Sequence, residues 1–160
     1  MPVPTSYGIL LYERDASRVV RYLLGKIPQG KFWTVFKGLP EPSETPRDTA
    51  LREFREETGA EETVLDPATT RFETTLHGST GKKNLEIFLV DGAGVSESIF
   101  NPDKVVKIDS GFLKGRPEIV AIRWMTFGEA MAGIDGARIY NSQESILQHA
   151  ENFINTKPHE

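Results

Sequence analysis

The apolar residues of this chain change their spacing along its length, and the change predicts an ordered set of elements. Residues 6–13 (SYGILLYE) and 18–24 (RVVRYLL) form short apolar blocks around a polar turn at 15–17, which predicts two strands. FWTVF at 32–36 predicts a short extended stretch. Over residues 46–58 the apolar positions Ala50, Leu51 and Phe54 take helical spacing. Thr45 suits the N-cap, Pro46 the first turn, Asp48 the far side of a capping box, and Gly59 the C-terminal stop. Strands return at 70–77 (TRFETTLH) and 84–91 (NLEIFLVD), joined by GSTGKK, and again at 119–126 (IVAIRWMT). Helices are predicted at about 127–133 and 142–155, the second carrying Ile146, Leu147, Ala150, Phe153 and Ile154 on one stripe. Strands on both sides of an internal helix, with helices at the end, predict an α/β fold in which a mixed β-sheet is sandwiched between α-helices.

At 160 residues and 38% hydrophobic content the chain reads as one domain over 1–160, large enough to bury a substantial core. No repeat, low-complexity tract or linker divides it. No apolar run approaches the ~20 residues that span a bilayer. No cationic-then-apolar leader opens the chain, so cytoplasmic residence without a membrane partner is the expectation. The absence of cysteine excludes disulfides, thiolate catalysis and Cys-type zinc sites. A formal charge of −4 and a pI near 5.5 argue against an extended nucleic-acid surface. A small nucleotide remains compatible, because a metal and a few cations can neutralise it locally. His77, His149 and His159 show no metal-ligand spacing. The expected assembly is a monomer or homodimer.

The densest chemistry lies on the first predicted helix. Glu53 precedes Glu56 and Glu57 by one turn, so three carboxylates share one side. Like charges at this spacing destabilise a helix by about 0.2–0.5 kcal/mol per pair. A hard divalent cation removes that penalty, and magnesium, with manganese as a substitute, suits a cluster shared between carboxylates and phosphates. Arg52 can reach Glu56 one turn on and hold its carboxylate. Taken alone, the cluster also reads as a solvated acidic face.

Gly38, Glu44, Arg52, Glu53, Glu56, Glu57 and Gly59 stand in the order G-x5-E-x7-R-E-φ-x-E-E-x-G-φ, where φ is normally aliphatic. This resembles the Nudix box, the signature of hydrolases that cut a diphosphate linked to another group, and it outweighs the solvated-face reading. The φ positions hold Phe54 and Ala60, whose sizes predict a locally altered core. The resemblance implies the Nudix fold, a metal held by Glu53, Glu56 and Glu57 with the Gly38 carbonyl as an extra ligand, and structural support from Glu44, Arg52 and Gly59. Glu118, six residues before Trp124 in PEIVAIRW, is similar to the segment by which many Nudix hydrolases bring an acidic group from outside the helix, which implies a further metal ligand or an acceptor for the water proton. As an equal alternative it is a loop glutamate ahead of a buried strand with Trp124 as core. The catalytic candidates are thus Glu53, Glu57 and Glu118, with Glu53 or Glu118 as the acceptor of the water proton.

Lys37 and Lys83 are candidate phosphate contacts, and Trp33 is a candidate floor for a base, with the core as its alternative. GSTGKK is a hairpin turn rather than a phosphate-binding loop, because His77 occupies the position where that loop requires glycine. The order of elements is similar to small Nudix proteins acting on nucleoside polyphosphates or diadenosine tetraphosphate. The chain departs from subgroup patterns at Phe36 and Thr75, where prolines are usual, and at 76–78, where one subgroup has tyrosine. A nucleoside or dinucleoside polyphosphate is therefore the favoured substrate, with ADP-ribose, an NDP-sugar or a nucleoside triphosphate as alternatives. A non-catalytic nucleotide sensor is the rival from another class, and the intact glutamate cluster argues against it. A diphosphate isomerase of this fold would be expected to need a cysteine, which is absent.

Overall fold

The computed structural model describes residues 3–156, so His159 lies outside the described residues. Strand β1 (Thr5–Arg14) and strand β2 (Val20–Lys26) form the first hairpin, followed by β3 (Phe32–Thr34), β4 (Phe36–Gly38) and helix α1 (Pro46–Thr58). Then come β5 (Phe72–Ser79), β6 (Asn84–Asp91), β7 (Ala121–Thr126), α2 (Phe127–Ala132), β8 (Arg138–Ile139) and α3 (Glu144–Thr156). These eight strands form one mixed sheet in the order β5-β6-β1-β2-β3-β8, with β4 on β1 and β7 on β2.

Alternation along the strands sends neighbouring side chains to opposite faces and so builds two cores. Leu10 and Tyr12 of β1, Tyr22 and Leu24 of β2, and Leu85, Ile87 and Leu89 of β6 pack against Ala130 of α2 and Ile146, Leu147, Ala150 and Ile154 of α3. Ile9 and Leu11, Leu23, and Phe88 and Val90 face the other way, onto Ala50, Leu51 and Phe54 of α1. The expected helix–sheet–helix sandwich is therefore present.

β1 changes partner along its length. Leu11 to Arg14 pair with β2, whereas Tyr7 to Ile9 pair with β4. This divergence brings the end of β4 beneath α1. The single extended stretch expected over 32–36 is accordingly two strands separated at Val35. Its N–H donates to the buried Gln143 side chain at 2.9 Å instead of to a strand, and Gln143 also donates to Thr34 Oγ1 at 2.9 Å. β8, which pairs in parallel with β3, was not expected, because two residues are too short to display a strand period. The final helix begins later than expected, after a 3-10 turn at Asn141–Gln143.

Candidate active site

Helix α1 is fixed at both ends by its own sequence. Asp48 N–H donates to Thr45 Oγ1 at 3.1 Å while Thr45 N–H donates to the Asp48 carboxylate at 3.3 Å, a complete capping box. Gly59 terminates the helix at φ 70°, its N–H bonded to the Arg55 carbonyl. A β-carbon there would also meet the Asn101 carbonyl oxygen at 2.2 Å, so glycine is required twice over. Between these ends, Phe54 packs edge-on against Phe36 with ring centroids 5.4 Å apart. Phe54, at an atypical box position, and Phe36, where proline is usual, thus answer one another, each aromatic filling space beside the other.

The opposite side of α1 carries the carboxylates. Lys37 N–H, from β4, donates to Glu57 Oε1 at 3.0 Å. At Gly38 a β-carbon would lie 2.2 Å from the Glu53 carboxyl carbon, so glycine lets the strand pass this carboxylate where it stands, and a larger residue would displace it. Arg52 grips Glu44 with two nitrogens, at 2.8 Å from Nε and 3.0 Å from Nη2, and its Nη1 reaches Glu53 at 2.9 Å and Glu56 at 3.2 Å. Its Nη2 also donates to the Leu39 carbonyl. One guanidinium thereby ties the loop before the helix to two of the clustered glutamates.

Glu53 and Glu57 are 8% and 7% exposed. Burial, opposed by Arg52 and reinforced by Glu56, pushes the Glu53 carboxyl up to about 7. Burial, then the charges of Glu53 and Glu118, raise Glu57 well above the carboxylate range. Glu118 is raised as well, by burial and by Glu56, while a hydrogen bond with Glu57 opposes the shift. The structure places Glu118 with Glu57 at the wall of one cleft. Glu118 is delivered there by backbone bonds, since its N–H donates to the Val106 carbonyl and Val106 N–H to the Glu56 carbonyl of α1.

Glu57 and Glu118 open onto a cleft of about 310 Å³, whose lining combines them and Lys37 with the apolar Ile27, Leu113 and the ring of Tyr140. Burial lowers the proton affinity of Lys37, and the charge of Lys83, on the β5–β6 turn, adds to the effect. The two lysines thus share one electrostatic field. Thr80 N–H closes that turn onto the Lys83 carbonyl, as a hairpin. Trp33 corrects the expectation of a base-stacking floor. It is 2% exposed and packed in the core beneath α2 and α3, so neither ring face is open. The aromatic that reaches the cleft is Tyr140, stacked on Phe32 at 4.4 Å. It follows β8, the strand without a legible period, and no spacing marks it in the sequence. Trp124 is partly buried against the α1-side core, its indole N–H on the Val95 carbonyl. His77 and His149 lie on the surface, away from these carboxylates.

The donor chemistry fits a hard divalent cation. Oxygen ligands alone are offered, and the carboxyls raised by burial are ones whose ionised form a cation would stabilise. Among the described residues no three acidic or imidazole side chains converge in a ready ligand geometry. The reason is visible: Arg52 holds Glu53 and Glu56, and Lys37 N–H holds Glu57. No helix among the described residues is long and apolar enough to cross a membrane.

The structure resembles a C. elegans Ap4A hydrolase in a binary complex, with TM-score 0.61 and 24% identity over 97% of this chain and 100% of that one. It also resembles RenU, a Nudix hydrolase from M. smegmatis, with TM-score 0.65 and 17% identity over 99% of this chain and 90% of that one. The E. coli ORF135 protein aligns with TM-score 0.54 and 16% identity over 99% and 96% of the two chains. No curated protein matches the chain in sequence. At these identities the likeness speaks for the fold. The NUDIX domain model, in contrast, matches the sequence itself over residues 3–146, which takes in the capped glutamate helix, the strand that crosses it and Glu118. The chain therefore belongs to the Nudix family.

Proposed function

We propose that this Nudix pyrophosphohydrolase cleaves the diphosphate linkage of a nucleoside or dinucleoside polyphosphate. The observation that carries the reading is one cleft lined by two unlike kinds of group, with Glu57, Glu118 and Lys37 beside Ile27, Leu113 and Tyr140. A polyphosphate ester of an aromatic base has the matching polarity.

Magnesium, or manganese in its place, would be held by Glu53, Glu56 and Glu57, with the Gly38 carbonyl and Glu118 as further oxygen ligands. When bound, the cation supplies neutralisation of phosphoryl charge and acidifies coordinated water. Lys37 and Lys83 place positive charge where phosphate oxygens enter. Arg52 and Glu44 position the glutamates, and Gly59 fixes the end of the helix that carries them. The oxygen of water attacks phosphorus, the bridging P–O bond breaks, and a carboxylate takes the water proton. Glu53 and Glu118 are the acceptors proposed, with Glu57 between them as a metal ligand.

Incubation with a panel of nucleoside polyphosphates and magnesium, with products weighed by mass spectrometry, tests the substrate class. Two phosphorylated products from a single cut are expected. Glu118→Gln is expected to lower kcat about a hundredfold while KM stays within a few-fold. A near-normal kcat with an unchanged pH profile would remove Glu118 from the chemistry.

A further inference from the structure

Phe112 is 91% exposed, far more than the other large apolar side chains on the surface. A single exposed apolar residue is ordinary. This one sits at the tip of a hairpin built on the candidate active site. Lys107 and Pro117 bridge across its stem, Ile108 N–H donates to the Arg116 carbonyl, and Gly115 N–H donates to the Ile108 carbonyl. The stem continues directly into Glu118, and Ile108 and Leu113 form part of the cleft wall. The hairpin is also cationic in an acidic chain. Lys107, Lys114 and Arg116 stand against Asp109 alone, while the whole protein carries −4. An aromatic tip with cations on both flanks suits a ligand that has a π-face and phosphates, and it disfavours an apolar protein partner.

We propose that residues 107–117 form a substrate-recognition loop in which the Phe112 ring stacks on the nucleobase of a nucleotide held in the cleft. The inference rests on the nucleotide reading above and deepens it, because it assigns base recognition to a loop outside the glutamate helix. Leu113 lines the cleft and Phe112 belongs to the same turn just outside it, so the ring borders the space a base against Leu113 would fill. Base–aromatic stacking contributes enough to change affinity about tenfold.

The test uses the whole protein with magnesium and two ligands, a non-hydrolysable adenosine polyphosphate and inorganic tripolyphosphate, with affinities measured by calorimetric titration. Phe112→Ala and Phe112→Leu are expected to weaken the adenosine ligand about tenfold and to leave tripolyphosphate unchanged, and Phe112→Tyr is expected to restore the wild-type value. In Phe112→Trp, indole fluorescence is expected to fall on adding the adenosine ligand and not on adding tripolyphosphate. Equal weakening of both ligands, rescue by leucine, or unchanged fluorescence would overturn the proposal. The two readings fail separately. Quenching of the Phe112→Trp variant without any nucleotide hydrolysis would sink the enzymatic reading alone, and hydrolysis with wild-type behaviour of every Phe112 variant would sink this one alone.

Discussion

At Gly38 a missing side chain makes the site. The Glu53 carboxylate occupies the volume a β-carbon would fill, with 2.2 Å between that carbon and Glu53 Oε1. Gly38→Ala must therefore turn the carboxylate away or push the strand from the helix. The expected result is a fall in kcat of about a hundredfold, with the far-ultraviolet circular dichroism unchanged. Normal turnover in this variant would mean that Glu53 does its work from elsewhere. The same position shows why parts of the site were legible in the sequence. Gly38, Glu53 and Gly59 are constrained by local geometry that recurs at fixed spacing, so a pattern finds them. Trp33 and Tyr140 are constrained by tertiary packing. An aromatic in an apolar strand reads alike whether its ring meets a core or a cleft, and the structure buries Trp33 and places Tyr140 in the wall.

Among the elements, α1 could be read to the residue because its start and stop are chemical: a capping box at one end and a left-handed glycine at the other. Strands β3 and β4 could not, because the break between them is made by Gln143, distant in sequence. The loop before α1 is held by the Arg52–Glu44 pair, and this gives the element a pH dependence of known sign. The Arg52 guanidinium, helped by the Glu41 N–H, lowers the Glu44 carboxyl from 4.5 to about 2. A depressed folded value means the stabilisation is complete above the unfolded value and is lost as pH falls through the folded one. Glu44→Gln is expected to cost about 1 kcal/mol near neutrality, since the pair meets solvent on one side. In paired denaturant titrations, the gap between wild type and variant should narrow as pH drops from 4.5 towards 2. A gap that persists at the acid end would show that the variant acts through packing rather than charge.

For the whole molecule, the clustered carboxylates set stability against function. Glu57 is buried beside Glu53 and Glu118, and burial, then their charges, raise its proton affinity, so ionising this carboxyl without a cation costs the folded protein stability. Thermal melts should rise with magnesium by about 5–10 °C at saturation and fall back with a chelator. Glu57→Gln is expected to raise the metal-free melting temperature and to lose most of the magnesium response. A magnesium response of wild-type size in this variant would place the cation elsewhere. The route by which Glu118 arrives has its own consequence. Val106 N–H reaches the helix and Glu118 N–H reaches Val106, both through main-chain atoms that every residue except proline possesses. The anchor is therefore indifferent to side-chain identity, and the hairpin between its two ends can be rewritten or exchanged for one of different composition without displacing the carboxylate at its root. In such an architecture the reaction and the choice of substrate are inherited separately, and a new preference can be acquired by grafting a loop while the catalytic apparatus stays untouched.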